Sequence, residues 1–156
     1  MSLDYIFGKG TSKCLDFDVI DFQYSRKTGR LRYVMDRESK EILFTFRANG
    51  SIAPTIKGAK MMLGKVILKK SRPRWVVTVI DGISEFIASG KTVFCKHVAE
   101  CDKNLKAGED VAVLNQKGKL LAVGKSVVTG ALMKQFKRGV AVKVREGLGV
   151  DGSAII

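Results

Sequence analysis

The stretch LLAVGKSVVTGALMKQFKRGVAVKVR, residues 120–145, decides the fold. Its apolar and β-branched opening predicts a long strand over 120–128, interrupted by Gly124. Gly130 opens a helix with Leu132, Met133 and Phe136 facing inward. A final strand over 140–145 sets Val140, Val142 and Val144 on one face and Lys143 and Arg145 on the other. Reading back toward the N-terminus, 115–118 is a turn, 111–114 a strand, 107–110 a turn and 92–98 a strand. Gly90 stands where a C′ glycine belongs, after a short helix that Asp81 caps and that carries Ile83, Phe86 and Ile87 on one face. Residues 75–80 form a β-branched run that reads as a buried strand. The resulting order, β-α-β-β-β-α-β, describes a small α+β domain of short strands.

The first half reads as strands and turns. Residues 15–19 alternate apolar and polar, the mark of a half-buried strand, and the alternation resumes in a new phase at Ile20, Phe22 and Tyr24. A polar loop over 25–30 separates these from a face made by Leu31, Tyr33 and Met35, and Ile42, Phe44 and Phe46 make another. Asn49-Gly50 is a tight turn. Thr55 precedes a helix that ends near Gly64, with Ile56, Ala59 and Leu63 on one side, and 66–68 reads as a strand. Residues 69–74, KKSRPR, combine the chain's basic run with a proline that breaks regular structure. They divide the chain into an N-terminal α+β domain, 1–73, and a C-terminal domain, 74–156.

At 156 residues the chain can bury a core without disulfide or metal staples, and its 46% apolar and 28% charged residues place it among globular proteins. A formal net charge of +13 predicts an anionic partner, nucleic acid before a membrane surface. Residues 1–73 carry 15 basic and 7 acidic groups and 74–156 carry 13 and 8, so both halves share the excess. No apolar run is long enough to cross a bilayer, and MSLDYIFGKG lacks the pattern of a secretory signal, which points to the cytoplasm. Cys14, Cys95 and Cys101 suit a reducing compartment. A zinc site assembled from Cys95, His97, Cys101 and Asp102 lacks the tight ligand pairs of structural sites, so these are read as reduced thiols with no metal and no cofactor.

Chemistry-bearing motifs are few. There is no P-loop and no Rossmann fingerprint, and residues 8–13, GKGTSK, read as a terminal turn. Nucleophilic catalysis is poorly supported, since a triad would have to use His97, the single histidine, and there is no Gly-x-Ser-x-Gly elbow. The carboxylate pairs Asp16/Asp18 and Glu109/Asp110 read as solvent-facing and turn residues. Phe7, Tyr24, Tyr33 and Trp75 are candidates for stacking on bases, whereas Phe17, Phe22, Phe44, Phe46 and Phe86 read as core. The cations recur at positions useful for phosphate contact. On the last helix, Lys134, Lys137 and Arg138 lie at i, i+3 and i+4 and share one face. Lys143 and Arg145 share a strand face. Lys91 and Lys96 flank Val93-Phe94, and Lys119 and Lys125 bracket 121–123.

Four separated motifs make the second half recognisable: GKTVFCKHV at 90–98, LKAGEDVAVLN at 105–115, GKLLAVG at 118–124 and MKQFKRGVAVKVREG at 133–147. In order and content they resemble a PUA domain over 74–149, the last of them in its archaeal version. PUA domains take their name from pseudouridine synthases and archaeosine transglycosylases. The first half is similar to the region that precedes the PUA domain in archaeal tRNA-guanine transglycosylase, through FGKG at 7–10, SRKTGR at 25–30 and TFRA at 45–48. The resemblance implies a pseudo-barrel of about six strands with two helices, and binding of structured tRNA or rRNA. The transglycosylase's catalytic barrel, with its nucleophilic aspartate and zinc ligands, has no counterpart here, so enzymatic activity is not carried over.

The expectation is therefore a non-catalytic RNA-binding protein that holds tRNA or another structured RNA for a modifying enzyme supplied in trans. Its partners are RNA, tRNA above all, and a catalytic subunit of an RNA-modifying enzyme. The alternatives are a protein-interaction subunit of an RNA-modification complex and a small RNA-acting enzyme. The candidate RNA-binding residues are Gly90, Lys91, Lys96, His97, Lys125, Lys137, Arg138, Lys143 and Arg145. The resemblance favours the 90–97 cluster, because PUA-like domains bind RNA beside their first helix and a neighbouring strand. Charge favours the cluster over 134–145.

Overall fold

A computed structural model describes residues 18–66 and 73–149, and the chain divides into two compact units, Met1–Ser71 and Arg72–Ile156. The predictions for 15–17, 67–72 and the FGKG and GKGTSK motifs lie outside the described residues.

The first unit is a four-stranded antiparallel meander, β1 (Ile20–Tyr24), β2 (Leu31–Asp36), β3 (Ile42–Phe46) and β4 (Ile52–Pro54), paired in chain order. A helix, α1 (Ile56–Val66), follows. Phe22, Val34, Phe44 and Pro54 form one cross-strand row. The apolar alternation locates β2 and β3, but the deepest side chains are Val34, Leu43 and Phe44, so β3 is buried on both faces where α1 packs against it. Gly58 makes that contact possible, since a Cβ there would overlap the Leu43 carbonyl. Thr55 caps α1 by accepting from the Gly58 amide at 3.2 Å, and Ile56, Ala59, Met62 and Leu63 are buried. Three expectations change. Asp18 and Val19 form a turn, β4 was hidden by its proline, and Val66 ends α1 instead of opening a strand.

The second unit is a six-stranded mixed sheet. Its strands are β5 (Val76–Val79), β6 (Val93–Phe94), β7 (Val98–Cys101), β8 (Asp110–Leu114), β9 (Leu120–Ser126) and β10 (Val140–Gly147). They lie in the order β6-β10-β9-β8-β5-β7, with β5 and β8 parallel. The two edge strands are consecutive in the chain and joined by three residues, the 3-10 turn Cys95–His97, so the sheet curls into a near-barrel. This turn replaces the unbroken strand predicted over 92–98. The Cys95 amide donates to Gly139 O at 2.9 Å on the β10 side, while His97 O accepts from Ile80 on the β5 side at 3.0 Å. One segment therefore serves both edges and leaves neither backbone ladder open there.

Val77, Val79, Val93, Val111, Val113, Leu121 and Val142 fill the interior together with Ile87 and Met133 from two helices, α2 (Ser84–Ala88) and α3 (Gly130–Gln135). Gly124 does not interrupt β9, as its sequence position predicted. It lies inside the strand because any Cβ would overlap the Lys143 carbonyl across the ladder. Asp81 opens a 3-10 turn, Asp81–Ile83, and its carboxylate accepts from the Gln116 amide at 2.9 Å instead of capping the helix. At the other end of α2 the chain closes as a Schellman motif. Gly90, at φ 96°, donates to Ile87 O, and Lys91 donates to Phe86 O.

Candidate functional site

Part of each of the two clusters that the sequence sets in competition meets at one place in the second unit. Val140 pairs with Phe94 across β10 and β6, and Gly139 O holds the Cys95 amide. The loop carrying Lys137 and Arg138 therefore lies directly beside the turn carrying Lys96 and His97. Helix α3 packs against that same turn. Lys91, Lys96, Lys137 and Arg138 are all exposed.

The route by which Lys137 and Arg138 arrive differs from the expectation. Helix α3 is capped by Thr129, whose hydroxyl accepts from the Leu132 amide at 3.3 Å. It ends at Gln135, and Phe136 is already extended at φ −79° and ψ 133°. Lys137 and Arg138 thus belong to a bend and share no helix face with Lys134. Gly139, at φ 96°, completes the reversal into β10.

Aromatic rings stand among these cations. Phe94 is 41% exposed and Phe136 45%, and Phe136 does not face inward as its helical spacing predicted. Gly130 and Met133 are the buried residues of α3, Met133 at 1% exposure. Phe86 is also exposed, against its assignment to the core, whereas Trp75 is buried and offers no stacking face. Phe94 was legible only as the strand residue of opposite parity to buried Val93. Nothing in the sequence marked Phe136, because its exposure follows from the early end of α3.

His97 is half-buried, edge-on to Phe94 with ring centroids 6.3 Å apart. Burial, and then the neighbouring Lys96 charge, hold its pKa below the ordinary imidazole value. At neutral pH it therefore presents an uncharged ring, a donor and stacking surface in place of a cation. Burial pushes the Cys95 thiol up, and the Cys101 thiol donates to Gly130 O at 3.2 Å. Gly90 leaves open space where a side chain would stand, but its amide is spent on Ile87 O, so a phosphate arriving there meets side chains.

The remaining candidates fall on β9 and β10. Lys125 and Lys143 are exposed and directly opposed, a like-charge pair across the two strands. Arg145 is placed differently. A register shift between Val144 and Glu146 takes it out of the ladder, and its Nη1 donates to Asp110 Oδ1 at 2.9 Å. The Asp110 side chain is 4% exposed, so this guanidinium serves the wall of the barrel.

A near-barrel of six short strands, its edges joined by a three-residue turn and two short helices packed against it, is a PUA-like fold. Comparison with known families agrees with the geometry: residues 75–148 match the PUA domain, and residues 1–67 match the patch-forming domain C2 of tRNA-guanine transglycosylase. The chain is a PUA-domain protein resembling the C-terminal region of archaeal tRNA-guanine transglycosylase. The tRNA-guanine(15) transglycosylase of Methanocaldococcus jannaschii is 39% identical over 144 residues, covering 86% of this chain and 21% of the relative. That of Methanothermobacter thermautotrophicus is 34% identical over 149 residues, covering 94% and 22%. The chain thus spans about a fifth of the length of these curated relatives. A hypothetical protein from Pyrococcus horikoshii superposes with a TM-score of 0.71 at 26% identity, over 94% of this chain and 86% of that one. A PUA domain from Aeropyrum pernix, at 18% identity and a TM-score of 0.61 over 95% and 78%, shares the fold.

Proposed function

We propose that the chain is an RNA-binding module that holds tRNA, or another structured RNA, for a modifying enzyme whose catalytic part lies elsewhere. The observation that carries this reading is the convergence of 91–97 with 136–140. It puts four exposed cations, two exposed phenyl rings and an uncharged imidazole on one edge of the near-barrel. Cations alone would fit any polyanion, whereas rings between cations match a ligand that alternates phosphates with flat bases. Lys125 and Lys143 extend the charge along the adjoining strands. The module itself is read as non-catalytic and cytoplasmic. No carboxylate stands among the residues of this edge, and the relatives' shared portion is about a fifth of a much longer chain.

The test is retardation of tRNA by the whole chain at moderate salt, with two triple variants to alanine, Lys91/Lys96/His97 and Lys137/Arg138/Lys143. Arg145 is left intact because of its role on Asp110. Each variant is expected to weaken binding and to flatten the dependence of log K on log salt by about one unit for each phosphate no longer neutralised. Parental affinity in both triple variants overturns this surface, and failure of the parent chain to bind tRNA overturns the function.

A further inference from the structure

The basic charge of the first unit is sorted to one end of its sheet. All five described carboxylates of that unit, Asp18, Asp21, Asp36, Glu38 and Glu41, lie around the turn between β2 and β3 and the start of β1. The cations at that end are neutralised. Arg37 and Lys40 reach Asp21 at 3.0 and 3.4 Å, and Lys57 reaches Glu41 at 2.8 Å and Asp36 at 3.4 Å. The meander brings its other two turns, 25–30 and 47–51, to the opposite end, where no described carboxylate follows them.

Two hollows open at that opposite end. One, of about 450 Å³, is lined by Thr28, Arg30, Arg32, Tyr33, Phe46 and Arg47 among others. A second, of about 390 Å³, includes Tyr24, Arg26 and Lys27, and shares Ser25, Arg32 and Tyr33 with the first. Neither has an acidic residue in its lining. Between them the Arg32 guanidinium lies over the Tyr33 ring, 5.4 Å from its centroid. Tyr24 is 58% exposed. The walls are built, since Gly29 at φ 72° donates to Ser25 O, the Thr28 hydroxyl accepts from the Arg30 amide, and Arg47 donates to Ser51 Oγ.

We infer that these two adjoining hollows form a second RNA site, which takes successive nucleotides of an unpaired strand. Phosphates rest on Arg26, Arg30 and Arg32, and bases stack on Tyr24 and on the Tyr33–Arg32 wall. Charge complementarity and spacing select this occupant. A polyanion without rings would leave the tyrosine faces idle, and a continuous duplex hides its base faces within the stack. The inference rests on the RNA-binding reading of the chain but places a separate site in the other unit.

Its test uses the full chain and a single-stranded RNA hexamer, with a self-paired RNA duplex of equal length as the comparison. The Arg26→Gln/Arg32→Gln variant and the Tyr24→Ala variant are compared with the Lys91/Lys96/His97 alanine variant, after circular dichroism verifies their folds. The hexamer is expected to lose roughly tenfold affinity with the arginine pair, with a flatter salt dependence between about 50 and 200 mM, and roughly fivefold or more with Tyr24→Ala. The Lys91/Lys96/His97 variant should keep hexamer binding while its tRNA binding weakens. Unchanged hexamer affinity in the arginine and tyrosine variants overturns the second site, as does equal affinity for duplex and single strand. The function proposed above fails separately, if the parent binds no tRNA.

Discussion

Replacing Arg145 by alanine separates a structural cation from the binding ones around it. Its guanidinium sits 2.9 Å from a carboxylate whose side chain is 4% exposed, while the Arg145 side chain itself is 36% exposed. Breaking a fully buried pair costs about 3–5 kcal/mol, because the remaining charge stays away from water. Water reaches the arginine side here, so the expected cost falls to about 2 kcal/mol. For a unit of this size that lowers the melting temperature by about 8–16 °C. Trp75, the chain's single tryptophan, is 3% exposed in the second unit, so its fluorescence reports the unfolding of that unit specifically. Lys143→Ala is the control. That side chain is exposed and faces Lys125, so its removal should move stability by no more than about 0.5 kcal/mol while weakening tRNA binding. An Asp110→Leu/Arg145→Ala double variant should recover part of the loss, since the buried carboxylate is removed together with its arginine. Melting curves for Arg145→Ala and Lys143→Ala that coincide would refute the assignment and return Arg145 to the RNA surface.

Three further outcomes follow from the same geometry. With a net charge of +13 shared by both halves, tRNA affinity should fall at least roughly tenfold between 50 and 200 mM salt, and a flat response would count against phosphate-led binding. Residues 74–156 should fold as an isolated fragment, with the near-barrel core and both helices complete, and a molten fragment by near-ultraviolet circular dichroism would show that the halves depend on one core. His97 has a folded pKa below its unfolded value, so the unfolded chain binds the extra proton. Its contribution to stability is complete above the ordinary value of 6.5 and is lost as pH falls through the lowered folded value. Protonation adds a cation to the site, so acidification from about pH 7.5 to about pH 5.5 should strengthen tRNA binding more in the parent than in His97→Ala.

The sequence alone determined most of the elements, because the physics that builds them is local. Period-two alternation located β1, β2 and β3, the valine runs located β5 and β8, and the positive φ required at Gly50, Gly90 and Gly118 located turns and a helix end. The family resemblance read from four ordered motifs was equally legible, as was the excess of positive charge. Tertiary structure decided what depends on contacts between distant residues. Barrel closure bends 95–97 out of a predicted strand, because one segment must bond to β10 on one side and to β5 on the other. The early end of α3 exposes Phe136 and swings Lys137 and Arg138 beside Lys96, joining parts of two rival clusters on one edge. A bulge in β10 hands Arg145 to a buried carboxylate 35 residues away, although its sequence neighbours give it the same parity as Lys143. Spacing along a chain fixes which residues can share a face, but which face meets water depends on where that chain crosses itself.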